Sequence, residues 1–489
     1  MHSSPGRLLG ALLTLVLPAC GDNNVLDLEA TEAPLPATCD ESDLPGTLAA
    51  LPHVTSVAET PCGDYVTGQV RCFSIQFDQP ITHEDPEGKR FSQRLFLAHR
   101  GCESPNLVGD WGYSQDYFFD DELSVLYQTN ALWIEHRFQG ESLPAATDWD
   151  WTALTIENGA TDMHEIVDAF KQHYGGRWVS TGASKGGVTA TYHKFLFPDD
   201  LDGAIPYVAP ASRFRVDSAY QTYLNTTLPE PCAQRVRDVQ VAALTTRRAM
   251  MLQRIAAAAG PGGEALTLEY ATAHFDWAFW QYYGVEYCAN VPTAASSDTV
   301  FWNFFSFFTG LSPAAPAIDE TASYGALYYE WLTEQGFALQ INAQITPHLA
   351  EPSALATMED NFQQMFPGVA LPRYDGSVTG RTRAWVRDQA ENVLLIYGQY
   401  DPWSGGAMDD PTRPSSGRFF VPDATHGAQI SGLTPDDEVA ALAFASKFFG
   451  RKPVGLKSEA RRAGAMRQSI LDAKTRQQLT FGLRLRPAR

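Results

Sequence analysis

One pentapeptide near the middle of the chain constrains the fold more than any other feature. Gly182-Ala183-Ser184-Lys185-Gly186 is a G-x-S-x-G element set between a short β-type run, Arg177–Thr181, and a helix-compatible run, Gly187–Phe195. A serine at the tip of so sharp a strand-to-helix turn needs small neighbours, because side chains there would collide with adjacent backbone. It also needs a sheet before it and a helix to cover that sheet after it. The rest of the chain repeats this unit. Phe91–Arg100, Asn106–Trp111, Ala131–His136, Ala204–Val208 and Asn392–Tyr397 read as strands, and Thr161–Tyr174 carries Ile166, Val167 and Phe170 at helical spacing. Such alternation predicts a mostly parallel sheet flanked by helices.

At 489 residues and 44% hydrophobic, the chain is long and apolar enough to bury a large core. The strand–helix alternation breaks off over residues 211–389. That stretch is rich in Ala and aromatic residues, carries Gly260-Pro261-Gly262-Gly263 as punctuation, and contains two dense aromatic runs, Phe275–Tyr283 and Phe301–Phe308. It reads as a helical cap inserted between two parts of the core, residues 47–210 and 390–450. The aromatic runs are read chiefly as packing, with some rings facing the groove that the insertion covers. Net charge is −21, which argues against nucleic acid as the main partner. The charge is unevenly spread: residues 451–489 hold 11 Lys and Arg against 2 acids and form a basic C-terminal tail, read as solvated and loosely docked, with a helix-compatible stretch at Ser458–Leu479.

At the other end, Arg7 precedes a ten-residue apolar stretch, Leu8–Leu17, followed by Pro18-Ala19-Cys20. A basic start and a short apolar run read as an export signal over residues 1–20, and a small residue before cysteine resembles a lipobox, with Cys20 as the lipidated residue. The chain would then be lipid-anchored to the cell envelope, with residues 21–46 as an acidic, Pro-containing linker. Beyond Cys20 there are six cysteines, an even number that suits an oxidising compartment. Cys62 with Cys72 fits a short hairpin and Cys232 with Cys288 one helical region, which leaves Cys39 with Cys102. No C-x-x-C, H-E-x-x-H, Walker loop or strand-linked G-x-G-x-x-G occurs, so no metal and no other cofactor is expected.

A serine hydroxyl needs a base and a group to orient that base. Asp401 follows the apolar strand that ends in Leu395-Ile396-Tyr397, where such an acid belongs, and His426 follows the short strand Phe419–Val421. Of the eleven histidines only His426 follows a late core strand; Asp423, three residues from it, is too close for the usual separate-loop geometry. Ser184, Asp401 and His426 are therefore the expected catalytic triad. The oxyanion of acyl transfer needs two N–H donors: the amide of Lys185, and one from the Gly109–Tyr113 loop, at Gly112 or Tyr113. The Lys185 side chain is read as solvated or ion-paired.

These blocks together resemble a known family. Trp178–Pro210, Glu135-His136-Arg137-Phe138, Asp148–Ile156, Asp401-Pro402-Trp403 and Thr425-His426-Gly427-Ala428 are similar to segments of the secreted bacterial tripeptidyl and prolyl aminopeptidases, serine peptidase family thirty-seven, cousins of prolyl carboxypeptidase. The similarity spans roughly Cys62 to Gly450 and leaves the basic tail outside. Ala183 and Val188 depart from it mildly, standing where the family often has glycine and methionine. The resemblance implies an α/β-hydrolase core with an inserted cap, and a triad on the same three residues. It further implies a peptide substrate held by its free ammonium, for which the cap offers Asp276, Glu330 and, most like the family segment, Glu334. A peptidase acting on the N-termini of short peptides is the leading expectation. The same triad also serves an esterase, and a non-catalytic surface-binding lipoprotein is the contrasting case, disfavoured by an intact triad. The lipobox reading has its own test: Cys20→Ser is expected to abolish palmitate incorporation and release the protein from membranes, and continued incorporation would overturn it.

Overall fold

The computed structural model describes residues 39–259, 262–311, 320–338, 343–350, 358–455 and 457–464. The candidate export segment with Cys20, and most of the basic tail, lie outside the described residues. A nine-stranded sheet organises the chain. Its strands are β1 (Val54–Thr60), β2 (Arg71–Pro80), β3 (Arg90–His99), β4 (Asn106–Asp110), β5 (Asn130–Ile134), β6 (Trp178–Ala183), β7 (Gly203–Tyr207), β10 (Leu394–Gly398) and β11 (Gly417–Val421). They lie in the order β1-β2-β3-β5-β4-β6-β7-β10-β11, while β8 (Val216–Asp217) and β9 (Phe337–Ala338) pair separately. The pairs β1–β2, β2–β3 and β3–β5 are antiparallel; from β5 to β11 every pairing is parallel. This is the sheet of an α/β-hydrolase core.

The strands β4, β5, β6, β7 and β10 are buried on both faces, which is why they read as largely apolar runs, while β11 at the edge is only partly buried. Their side chains alternate between two cores. Leu107, Trp133, Val179, Ile205 and Ile396 face one, with Phe448 of the helix Pro435–Phe449; Val108, Leu132, Ile134 and Trp178 face the other, with Ile166 and Phe170 of the helix Ile156–Lys171. β1 is half-exposed along its length and carries no such run, so it gave no sequence signal.

Between β7 and β10 the helices Glu230–Leu244, Glu264–Tyr282 and Asp298–Thr309 build a second core. The aromatic runs meet inside it: the rings of Phe275 and Phe305 stack with centroids 5.1 Å apart. Not all of residues 211–389 belongs there. The helix Ser377–Asp388 lies against the core helix Lys185–Leu196, where the hydroxyls of Tyr192 and Thr379 are 2.8 Å apart.

Disulfides join Cys39 to Cys102, Cys62 to Cys72 and Cys232 to Cys288, with Cα separations of 6.0, 5.3 and 5.5 Å. The first reaches into the segment read as linker. Leu44 and Leu48, on the helix Leu44–Ala49, are fully buried in the sheet core, so the folded body begins before residue 47. The start of the tail is likewise docked. The amides of Val454 and Gly455 donate to the carbonyl of Leu126, and Ala460 and Ala463 are buried, because small residues at helical spacing let the basic segment lie on the core.

Candidate active site

Ser184 sits at the junction of β6 and the helix Lys185–Leu196 with φ 56° and ψ −125°, a conformation that a non-glycine residue holds only when its surroundings impose it. Two backbone bonds do so. The Ser184 amide donates to the carbonyl of Tyr207 at 3.0 Å, and its own carbonyl accepts from Val188 at 3.0 Å. Close approach completes the constraint: a Cβ on Gly186 would lie 2.3 Å from the carbonyl oxygen of Asp110.

Asp401 follows β10 and His426 follows β11, so all three expected triad residues leave the carboxyl edge of the same parallel strands. Asp401 is fully buried. Its Oδ1 accepts the Trp403 amide at 3.1 Å, and its Oδ2 lies 2.7 Å from His426 Nδ1. The His426 amide donates to the carbonyl of Gln281, on the insertion helix Glu264–Tyr282. His426 Nε2 is buried with no hydrogen-bond partner among the described residues. Asp423 is exposed, and the carboxylate on the imidazole belongs to Asp401. Beyond the histidine, Glu122 accepts the amides of Ile430 and Ser431 at 2.9 and 2.8 Å and so pins the loop; burial pushes its carboxyl up to about 7, against the pull of those two amides.

Lys185 is not solvated. Its ammonium is 2.7 Å from Glu330 Oε2 and 2.8 Å from His136 Nε2; His136 Nε2 is 3.2 Å from Glu330 Oε1, and His136 Nδ1 is 2.6 Å from Asp110 Oδ2. None of these four side chains is more than 3% exposed. Burial disfavours the charged form of both acid and imidazole here. The neighbours win: Lys185 and then His136 hold the Glu330 carboxyl down to about 2, while Asp110 and Glu330 outweigh Lys185 and raise His136. The network is not legible in sequence, where His426 is the one histidine that follows a late core strand. Its one signal is a charged triplet, Glu135-His136-Arg137, directly after an apolar strand.

Of the expected oxyanion donors, the Gly112 amide is occupied, donating to Asp110 Oδ1 at 2.5 Å. The Tyr113 hydroxyl lies 3.4 Å from Ser184 Oγ, so it is the side chain of this residue that reaches the candidate nucleophile. Among the candidate ammonium anchors, Glu330 is engaged by Lys185 and His136, and Asp276 accepts the amide of Trp277. Glu334, half-buried in the turn Trp331–Gln335, accepts the Ile156 amide at 2.6 Å through Oε2 at the start of the helix Ile156–Lys171. Burial pushes its carboxyl up to about 7, and the nearby Glu330 carboxylate adds to the shift against the Ile156 hydrogen bond.

The sequence profile of the PS-10 peptidase S37 family matches residues 37–481, reaching further at both ends than the motifs alone suggested, and into the basic tail. A prolyl tri/tetrapeptidyl aminopeptidase of Streptomyces mobaraensis is 28% identical over 462 residues, covering 89% of this chain and 91% of that protein. Among solved structures, a proline iminopeptidase of Mycobacterium smegmatis is 14% identical, covering 80% of this chain and 98% of that one, with a TM-score of 0.32. The peroxisomal α/β-hydrolase Lpx1 of Saccharomyces cerevisiae is 12% identical, covering 84% and 98%, also with a TM-score of 0.32.

The buried network makes a stability prediction. Lys185→Met leaves the Glu330 carboxylate buried without its cation and is expected to cost about 3–5 kcal/mol in urea unfolding. Lys185→Met with Glu330→Met is expected to recover most of that loss. Additive losses in the double variant would show that the two groups do not act as a pair.

Proposed function

The chain belongs to the PS-10 peptidase S37 family and is a serine-type peptidase, and from that premise we propose that it is an exported, lipid-anchored aminopeptidase. It releases short peptides from the N-termini of its substrates through an acyl-enzyme on Ser184. The observation that carries the catalytic assignment is the Asp401–His426 pair at 2.7 Å, whose outer nitrogen is buried, without a hydrogen-bond partner among the described residues, on the sheet edge that bears Ser184. The aminopeptidase assignment leans on the Streptomyces mobaraensis relative.

In this mechanism Ser184 Oγ bonds to the scissile carbonyl carbon as its proton passes to His426 Nε2. The carbonyl electron pair moves onto oxygen, facing the Lys185 amide. When the pair returns, the C–N bond breaks and the leaving amine takes the proton from His426. Water then repeats the sequence on the ester, returning Ser184 to its starting state. Asp401 holds the Nδ1 proton, so that Nε2 is the basic nitrogen throughout. The insertion helices Glu230–Leu244, Glu264–Tyr282 and Asp298–Thr309, as a cap, cover the groove in which the peptide lies. Replacing Ser184 with Ala is expected to abolish both turnover and fluorophosphonate labelling with the fold intact; a labelled variant would place the nucleophile elsewhere. Profiling a peptide library beside p-nitrophenyl esters separates the peptidase from an esterase, and peptide cleavage much weaker than ester cleavage would overturn the assignment.

Glu334 is the proposed anchor for the substrate's ammonium, with Oε2 on the Ile156 amide and Oε1 as the oxygen that would take the ligand. A carboxyl raised to about 7 is neutral below that pH and charged above it. Affinity for free-amine peptides should therefore rise through about pH 7 and fall again as the substrate amine, with a reference value of about 7.7–8.0, loses its proton. Glu334→Gln is expected to cost about thirty- to a thousand-fold in kcat/KM on free-amine peptides and to flatten this profile, sparing N-acetylated ones. Equal loss on both substrate types would assign Glu334 to capping the helix alone.

A further inference from the structure

We propose that the phenolic hydroxyl of Tyr113 is a catalytic hydrogen-bond donor to the oxyanion, an inference that rests on the reading of Ser184 as the nucleophile. The loop after β4 is laid directly on the turn that carries Ser184. Gly112 has φ 85°, and a Cβ there would stand 2.6 Å from the Gly186 nitrogen and 2.9 Å from the Lys185 Cβ, so only glycine lets the loop approach this closely. The next side chain is thereby carried over the nucleophile. Tyr113 Oη lies 3.4 Å from Ser184 Oγ, and the Lys185 amide hydrogen-bonds to the same phenol oxygen.

Those two groups define where an oxyanion forms. The developing O⁻ is one bond from the carbon that Ser184 attacks and within hydrogen-bond reach of the amide that follows it. In the resting site the Lys185 N–H donates to Oη, and Oη lies within hydrogen-bond distance of Ser184 Oγ. An arriving carbonyl oxygen between them would receive both donors. The Gly112 amide, the alternative donor from the same loop, is held by Asp110 Oδ1. Burial raises the Tyr113 pKa despite the opposing hydrogen bonds from Ser184 and Lys185, so the phenol keeps its proton at neutral pH. It meets the oxyanion as a donor and never as a like charge. No proton is transferred from it: the O–H hydrogen bond tightens as the tetrahedral centre forms and relaxes when that centre collapses.

The test compares Tyr113→Phe with the unaltered full chain. The phenylalanine keeps the ring and removes one donor, so kcat on a peptide substrate should fall about a hundred- to a thousand-fold with KM changed less than about threefold. Affinity for a peptide trifluoromethyl ketone, which forms the oxyanion on the serine, should weaken by a similar factor. Affinity for the released product peptide and the thermal midpoint should not move. A variant with kcat and ketone affinity within about threefold of the parent, or a faster one, would overturn the proposal. So would a loss shared equally by ketone, product and thermal midpoint, which marks a structural role. Mass-spectrometric mapping of the fluorophosphonate adduct in the unaltered protein keeps the two readings apart. An adduct off Ser184 refutes the nucleophile, whereas an adduct on Ser184 with an unaffected Tyr113→Phe refutes only the donor.

Discussion

An ammonium group kept out of water beside the proposed nucleophile dictates much of what surrounds it. Lys185 immediately follows Ser184, and a buried cation without partners costs several kcal/mol. Its two partners, and the acid behind one of them, come from three separate places. His136 lies just beyond β5, Asp110 ends β4 and holds His136 from behind, and Glu330 comes from the segment between β7 and β10. Lys185 and His136 hold the Glu330 carboxyl down, and Asp110 with Glu330 raises His136, so the members of the cluster stabilise one another's charges. The Lys185 amide is the proposed first oxyanion donor. The side chain that anchors that residue therefore also ties the inserted segment and two strand ends to the reacting centre.

His426, the proposed base, is held from two sides as well. Its amide is bonded to Gln281 on an insertion helix, and its loop is pinned through Ile430 and Ser431 to Glu122 in the core. Trp403, two residues after Asp401, has its ring centroid 6.4 Å from that of His426 and 5.7 Å from that of Trp331. The insertion is thus joined to the site by a charge cluster on the serine side and by aromatic and backbone contacts on the histidine side. A displacement of these helices would disturb both halves of the candidate site together, which makes the insertion part of its geometry.

Much of this was open to sequence reasoning. The strand-to-helix turn at Ser184 is a local stereochemical demand, met by residues within a few positions, and the central parallel strands announce themselves because burial on both faces leaves them largely apolar. The order of Ser184, Asp401 and His426 follows from strand succession, and the cysteine pairings from count and spacing. What sequence did not carry was pairing through space. β1 is half-exposed and lacks a pattern. Nothing near Lys185 in the chain foretells that a residue read as solvated or ion-paired is buried on Glu330 and His136. The second use of Glu334, on the Ile156 amide 178 positions away, is equally silent, as is the approach of the Tyr113 hydroxyl across 71 positions. Periodicity and turn chemistry are settled within a few neighbouring residues, so sequence alone determined the architecture and the order of the triad candidates. Desolvation is settled only when distant segments close over a group, so which charges share a buried site, and which donor reaches the nucleophile, was decided by the tertiary structure.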